Sequence, residues 1–315
     1  MKDYVGQWFE IYRRLNEPAD IVIEIEKNAN IEVRRYPHEE VDGAGALFLL
    51  AEEKKWVLQN LAKSSKYNKI PIYKYFLNLL LFLYWTRPRK KTTWNFKIEK
   101  SKDDVTLYSS ARIDREGTLK LKAKKIDVSL NTLLFHSLNS VLAEKFNFDS
   151  TLKSWWIPVN MRPDLNLDLN ELKNKRNYVS NFTVSVNHLM SLKDYQSFIS
   201  KYLKQKRHLA TWWWQHLGKY LPESVLEKIV TQQLKTTQYI GAFSNLGEWN
   251  SSDQESRVTF FVNPIRSHPI GASVLIWNGE LSVGLQVYPT FPLTQIELDL
   301  MTKNWVEKTK LISGL

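Results

Sequence analysis

Cysteine is absent from the 315 residues, which excludes a disulfide framework, a thiolate nucleophile and a Cys-ligated metal. That suits a reducing compartment, and a cytoplasmic protein is the expectation. A secretory signal is lacking as well: Met1-Lys2-Asp3-Tyr4 does not lead from a charged segment into an apolar one. No apolar run is long enough to cross a bilayer, which takes about 20 residues. The most apolar run, 73–85, reads as a buried or interfacial helix, and Arg87, Arg89, Lys90 and Lys91 follow it. An apolar face beside a basic cluster can lie on an anionic membrane, so peripheral membrane association is one reading. A core helix ending in a solvated loop is the plainer one. The net charge is +11, yet helix-turn-helix, zinc-finger and RNA-binding signatures are all missing, so no nucleic-acid partner is expected. Internal repeats and low-complexity segments are missing too, and no metal site is expected.

What the chain does have is ordinary globular composition, enough for one large domain or two lobes. Tyr4, Trp8, Tyr12 and Leu15 recur at helical spacing. Segments 21–26 and 31–36 alternate as strands joined by a turn at 27–30. The second strand runs into Tyr36-Pro37-His38-Glu39-Glu40-Val41-Asp42-Gly43, and an apolar run from Ala44 predicts a helix to about Leu61. His38 thus sits at a strand-to-helix turn. An imidazole can take and give a proton near neutral pH, although a lone histidine at a strand end is more often structural.

Further on, 94–99 and 105–110 read as strands, and the alternation Leu119-Lys120-Leu121-Lys122 suggests a short third. Leu130, Leu133, Leu134, Leu138, Val141 and Leu142 lie on one face of a helix that Asp127 or Ser129 can cap, with His136 on its flank. An apolar strand ends at Arg162, held extended by Pro163. A strand at 179–186 precedes one long helix from about Asp194 through Trp214, a second helix at 223–234, and a strand at 239–246 that ends Ser244-Asn245-Leu246-Gly247. Then come a strand at 258–262, a hairpin with Asn278-Gly279 in its turn, and a closing helix at 295–312.

Four of these segments, in this order, resemble the CoA-dependent acyltransferase superfamily: condensation domains, wax ester synthases, alcohol acetyltransferases and chloramphenicol acetyltransferases. The His38-to-Gly43 loop is similar to the HxxxDG motif, the helix at 129–142 to the one that opens much of the second lobe, Ile157-Pro158-Val159-Asn160-Met161-Arg162 to the PVnlR strand, and 244–247 to the SN-x-G segment. The resemblance covers about 20–312. It implies an α+β, two-lobe chloramphenicol-acetyltransferase-like fold of mixed sheets covered by helices. The N-terminal lobe (1–115) would carry the HxxxDG loop, and 116–315 would form the C-terminal lobe. Pro37 stands where many relatives have a first histidine, and the motif comes far earlier in the chain than in two-lobe relatives, so a shortened first lobe is the expectation.

The resemblance further implies an acyltransferase without covalent acyl-enzyme. His38 would be the general base, with Asp42, Gly43 and Arg162 supporting the site and Asp42 paired to a buried arginine. Ser244 and Asn245 are candidates for the oxyanion or tunnel, and Arg87, Arg89, Lys90 and Lys91 for the donor's phosphates. Acyl-CoA or acyl-phosphopantetheine on a carrier protein would be co-substrate, with no permanently bound cofactor, and the acceptor would be a lipophilic alcohol or amine. The competing reading is a catalytically inactive relative that binds a carrier protein or an acyl ligand.

Overall fold

A hairpin and the helix after it organise the first third of the chain. In this computed structural model the described residues are 5–59, 94, 96–99, 106–113, 116–165, 176–235 and 239–314. The apolar run 73–85 and the basic cluster Arg87, Arg89, Lys90 and Lys91 lie outside them. Strands β1 (Asp20–Lys27) and β2 (Asn30–Pro37) pair antiparallel from Asp20↔Pro37 to Lys27↔Asn30. Asn28 and Ala29 make the turn with φ of 51° and 60°, the left-handed pair that a two-residue hairpin needs. Helix α1 (Gly6–Arg14) precedes the hairpin. Helix α2 (Gly43–Glu53) follows it and begins at Asp42, whose side chain accepts from Gly45 N. The helix stops eight residues short of the expected Leu61: Lys55 turns left-handed at φ 56°, and Trp56 N closes onto the Ala51 carbonyl at 2.7 Å. A short strand, β3 (Leu58–Gln59), comes next.

Strand β4 (Leu107–Ile113) falls close to expectation, whereas the described residues of 94–99 form no strand. Trp94 and Phe96 instead pack among Phe146 and Phe291. The expected strand at 119–122 is helix α3 (Glu116–Lys125). Leu119 and Ala123, four apart, are buried, while Leu121 is 64% exposed, so burial follows the helical period and overrides the alternation. Helix α4 (Leu130–Phe146), capped by Ser129, leads to β5 (Lys153–Asn160) and β6 (Val179–Val186). The single long helix expected from Asp194 is two, α5 (Leu192–Lys204) and α6 (Arg207–Leu217), because Lys206 adopts φ 54° between them. Helix α7 (Glu223–Lys235), β7 (Gly241–Ser251), β8 (Arg257–Phe261), the hairpin β9 (Ile270–Trp277) and β10 (Glu280–Val287), and α8 (Gln295–Ser313) complete the chain.

These elements form two sheets. The small one has the order β2-β1-β8; the larger runs β4-β10-β9-β7-β5-β6, with β3 also on β7. Sheet membership does not follow chain order at 115/116: β4 joins the large sheet and β8 returns to the small one. The strands β9 and β10 are buried along almost their whole length, as a sheet covered on both sides requires. One core lies between the large sheet and helices α4 and α8, a second under α2 and the hairpin, and a third joins α1 to α6 and α7.

The sheets meet closely at Gly271. A Cβ there would collide with the backbone carbonyl of Val262, which lies just past β8. Gly271→Ala should therefore force the two sheets apart and destabilise by about 1–3 kcal/mol, as overpacking does. Urea unfolding should show a lower midpoint with an unchanged slope; an unshifted midpoint would mean that the strands separate freely.

Candidate active site

The hairpin delivers His38 to the turn, where its backbone N–H donates to the Ala19 carbonyl at 2.8 Å. Pro37 O then accepts from Glu40 N and Val41 N, folding the loop back so that the Val41 carbonyl reaches the imidazole. His38 Nδ1 lies 2.8 Å from Val41 O. Only a protonated Nδ1 can satisfy that contact, so the hydrogen-bond network assigns the proton to Nδ1 and leaves the Nε2 lone pair free of it. The other close neighbour, Asn177 Nδ2 at 3.3 Å, is a donor and gives one of its two hydrogens to the His38 carbonyl at 2.7 Å. One face of the ring stacks on Phe9 of α1, with centroids 3.8 Å apart. Burial lowers the His38 pKa below its ordinary 6.5, against the opposing pull of the Val41 carbonyl and the charges of Asp42 and Glu39. The neutral, proton-accepting imidazole is thus the form present near pH 7.

Asp42 and Arg162 are brought together. Arg162 Nη1 donates to Asp42 Oδ2 at 2.6 Å, and the two side chains are 3% and 5% exposed. The carboxylate also accepts from Gly45 N through Oδ1 and from Tyr178 N through Oδ2, each at 2.7 Å. Arg162 in turn donates to the Arg176 carbonyl at 2.9 Å, and its guanidinium lies 4.8 Å from the Tyr178 ring centroid. Asn160 Oδ1 caps the turn by accepting from Arg162 N at 3.0 Å. The loop bearing His38 is therefore tied to the end of β5 and the approach to β6 through one buried charge pair. Gly43 leaves room for Leu246: a Cβ there would sit 3.0 Å from a Leu246 methyl.

Ser244 and Asn245 lie on β7 and, with His38, Asp42, Gly43 and Asn160, line a cavity of about 90 Å³. Asn245 Oδ1 accepts from Gly247 N at 2.7 Å, and Nδ2 gives one of its two hydrogens to Asn131 Oδ1 at 3.2 Å. A shift of register between Asn245 and Glu248, with Gly247 at φ 79°, turns the strand there. His136, off the apolar stripe, sits on the Met190 carbonyl at 3.1 Å and takes no part in the cavity. No metal-binding cluster occurs among the described residues.

Sequence reasoning passed over Phe9, Val41 and Asn177. The aromatic spacing of α1 marked a buried face without saying what it covers. The Val41 carbonyl belongs to the backbone and leaves no trace in residue type. Asn177 lies two residues before β6, and its contact with His38 spans 139 positions.

No protein-family model matches the chain, and no curated protein matches it in sequence. Solved structures do. The epimerization domain from the third module of tyrocidine synthetase B superposes with a TM-score of 0.53 at 13% identity, over 90% of this chain and 69% of that one. A wax ester synthase/diacylglycerol acyltransferase from Marinobacter aquaeolei gives 0.53 at 12%, over 95% and 72%. The starter condensation domain of rhizomide synthetase, solved in complex with C8-CoA and Leu-SNAC, gives 0.52 at 10%, over 90% and 66%. At these identities the likeness is one of fold: this chain has the α+β fold, built on two sheets, that these epimerization-domain, wax ester synthase and condensation-domain structures share. It spans roughly two thirds to three quarters of those three neighbours. No helix among the described residues is long and apolar enough to cross a membrane.

Proposed function

We propose that this protein is an acyltransferase that moves an acyl group from a thioester, on CoA or on a carrier protein's phosphopantetheine, to a hydroxyl or amine. The observation that carries the reading is the Nδ1 contact to Val41 O, which reserves Nε2 as the basic nitrogen of an imidazole lining the cavity. In the proposed reaction Nε2 takes the acceptor's proton as its oxygen or nitrogen attacks the thioester carbonyl. The carbonyl oxygen becomes an oxyanion, for which the remaining Asn245 N–H and the Ser244 hydroxyl are the candidate donors. Collapse expels the thiolate, which recovers the proton from Nε2. The chain has no cysteine to form a thioester of its own, and the base acts without becoming acylated. Asp42, Gly43 and Arg162 aim the loop, and Arg87, Arg89, Lys90 and Lys91 would meet the donor's phosphates.

The test is release of free thiol from an acyl-CoA in the presence of a long-chain alcohol or amine, with the ester or amide product and the intact protein mass followed together. Product without acyl-protein supports direct transfer. Thioester binding without turnover favours the alternative, a non-catalytic relative that holds an acyl ligand. The pH profile adds a second check. Because burial lowers the His38 pKa, kcat/KM should rise with pH and level off at an apparent pKa below 6.5. A rate still climbing above pH 7 would point to another base.

A further inference from the structure

Strand β2 is an edge. In the small sheet β1 pairs it on one side, and no described residue pairs it on the other. The two-residue turn fixes which of its groups point where. Lys27 and Asn30 close that turn as a hydrogen-bonded pair, so Asn30, Glu32, Arg34 and Tyr36 direct N–H and C=O at β1. The bond from His38 N–H to the Ala19 carbonyl continues the alternation. The main-chain groups of Ile31, Val33 and Arg35 therefore point outward, and among the described residues they meet no partner. Water hydrates them there. The side chains are in solvent as well: Ile31 is 65% exposed and Val33 37%. Such an edge is a template for another strand.

Native edges commonly carry charge that discourages pairing. The charges of β2 are instead complementary to themselves. When a second β2 lies antiparallel along the outer edge with Val33 opposite Val33, Ile31 meets the partner's Arg35. These residues carry the outward groups, so they form the pairs that exchange hydrogen bonds. Glu32 then falls opposite the partner's Arg34, in a pair of the other kind, where side chains approach more closely. Within one chain Glu32 already meets Arg34 and Lys54, each at 2.5 Å, so pairing joins two such clusters into one network. A slide of one residue sets inward groups against outward ones. A slide of two sets Glu32 against the partner's Glu32 in one direction and Arg34 against the partner's Arg34 in the other. Like charges directly opposite are destabilising, so the strand favours a single register. Pro37 has no N–H and bounds the ladder.

We infer that β2 docks on β2 of a second copy of this chain, giving an isologous dimer whose small sheet continues across the twofold axis. Each hydrogen bond replaces one to water for a modest net gain, and the contact lies at the small end of interface sizes, so the dimer forms at micromolar concentrations. The inference requires nothing of the acyl-transfer reading.

Sedimentation of the full chain over a rising concentration series should show monomer giving way to dimer. In amide exchange resolved by residue, Ile31, Val33 and Arg35 should gain protection over the same range, while Glu32 and Arg34, already bonded to β1, stay as they were. Val33→Pro removes the central N–H from both copies and should weaken the dimer roughly tenfold or more; an edge strand tolerates proline. The charges give the sharper test. Glu32→Arg and Arg34→Glu each set like charges opposite one another, so each variant should sediment as monomer where the wild type is dimer. An equimolar mixture of the two should dimerise, because both cross-strand charge pairs are then of opposite sign. A wild type that stays monomeric throughout, a dimer whose outward β2 amides gain no protection, or a mixture that stays monomeric would each overturn the inference. If Val33→Pro does not fold, the mixture and the amides decide.

Discussion

His38→Ala should lower acyl transfer by about 100- to 10,000-fold, the usual cost of removing a general base. The fold should survive, because His38 is only half-buried at the end of β2 and its backbone N–H keeps the Ala19 carbonyl whatever the side chain. Circular dichroism and a urea midpoint near the wild type would establish that. What remains of the rate should lose its pH dependence below 6.5, since the group that titrates there is gone. This separates chemistry from damage: a variant that merely shifts the loop would be slow but would keep the same pH profile. A purified variant turning over thioester near the wild-type rate would remove His38 from the mechanism. A pH-dependent residue of activity would move the base elsewhere.

Local signals were legible where a single rule governs. The hairpin at 27–30 and the one at Asn278-Gly279 follow from strand alternation and turn chemistry, and β6 matches its segment at both ends. Elements were misread where two rules compete. Leu119-Lys120-Leu121-Lys122 alternates like a strand, yet Leu119 and Ala123 face the core one helical turn apart. The helix break at Lys206 rests on one left-handed residue of a type that rarely adopts it, so no residue there announces the break. Trp94 and Phe96 read as a strand because they alternate, but they meet the core through aromatic packing without a ladder.

The candidate site divides in the same way. His38, Asp42 and Gly43 stand together in six positions of sequence and were readable from it. The groups that give the imidazole its tautomer and its covered face come from a carbonyl and from α1. Arg13 of that helix is joined to Glu39, the residue next to His38, at 2.6 Å, so α1 is tied to the loop as well as stacked on it. Sequence spacing has no means of showing that a helix beginning at Gly6 covers a ring at position 38.

Asp42→Asn and Arg162→Gln should each destabilise the protein by about 3–5 kcal/mol, because either change leaves the other charge buried without its counterion. The pair lies 2.6 Å apart with both side chains almost wholly enclosed, so solvent does little to screen it. Asparagine is a good choice on the acidic side, since it caps a helix about as well as aspartate and α2 keeps its start. It has one oxygen where Asp42 serves both Gly45 N and Tyr178 N, so one of those donors loses its partner. That loss is present in the single and the double variant alike and cancels in a double-mutant cycle. The cycle therefore isolates the charge pair, and the double variant should be well short of the sum of the two singles. Activity should fall in both singles through the loop, because Val41 and Asp42 are adjacent and the Val41 carbonyl holds the imidazole. A misplaced base costs rate even when it is chemically intact. Simple additivity in the urea midpoints would mean that the two groups contribute separately and that the loop is aimed by Gly45, Tyr178 and Asn177 alone.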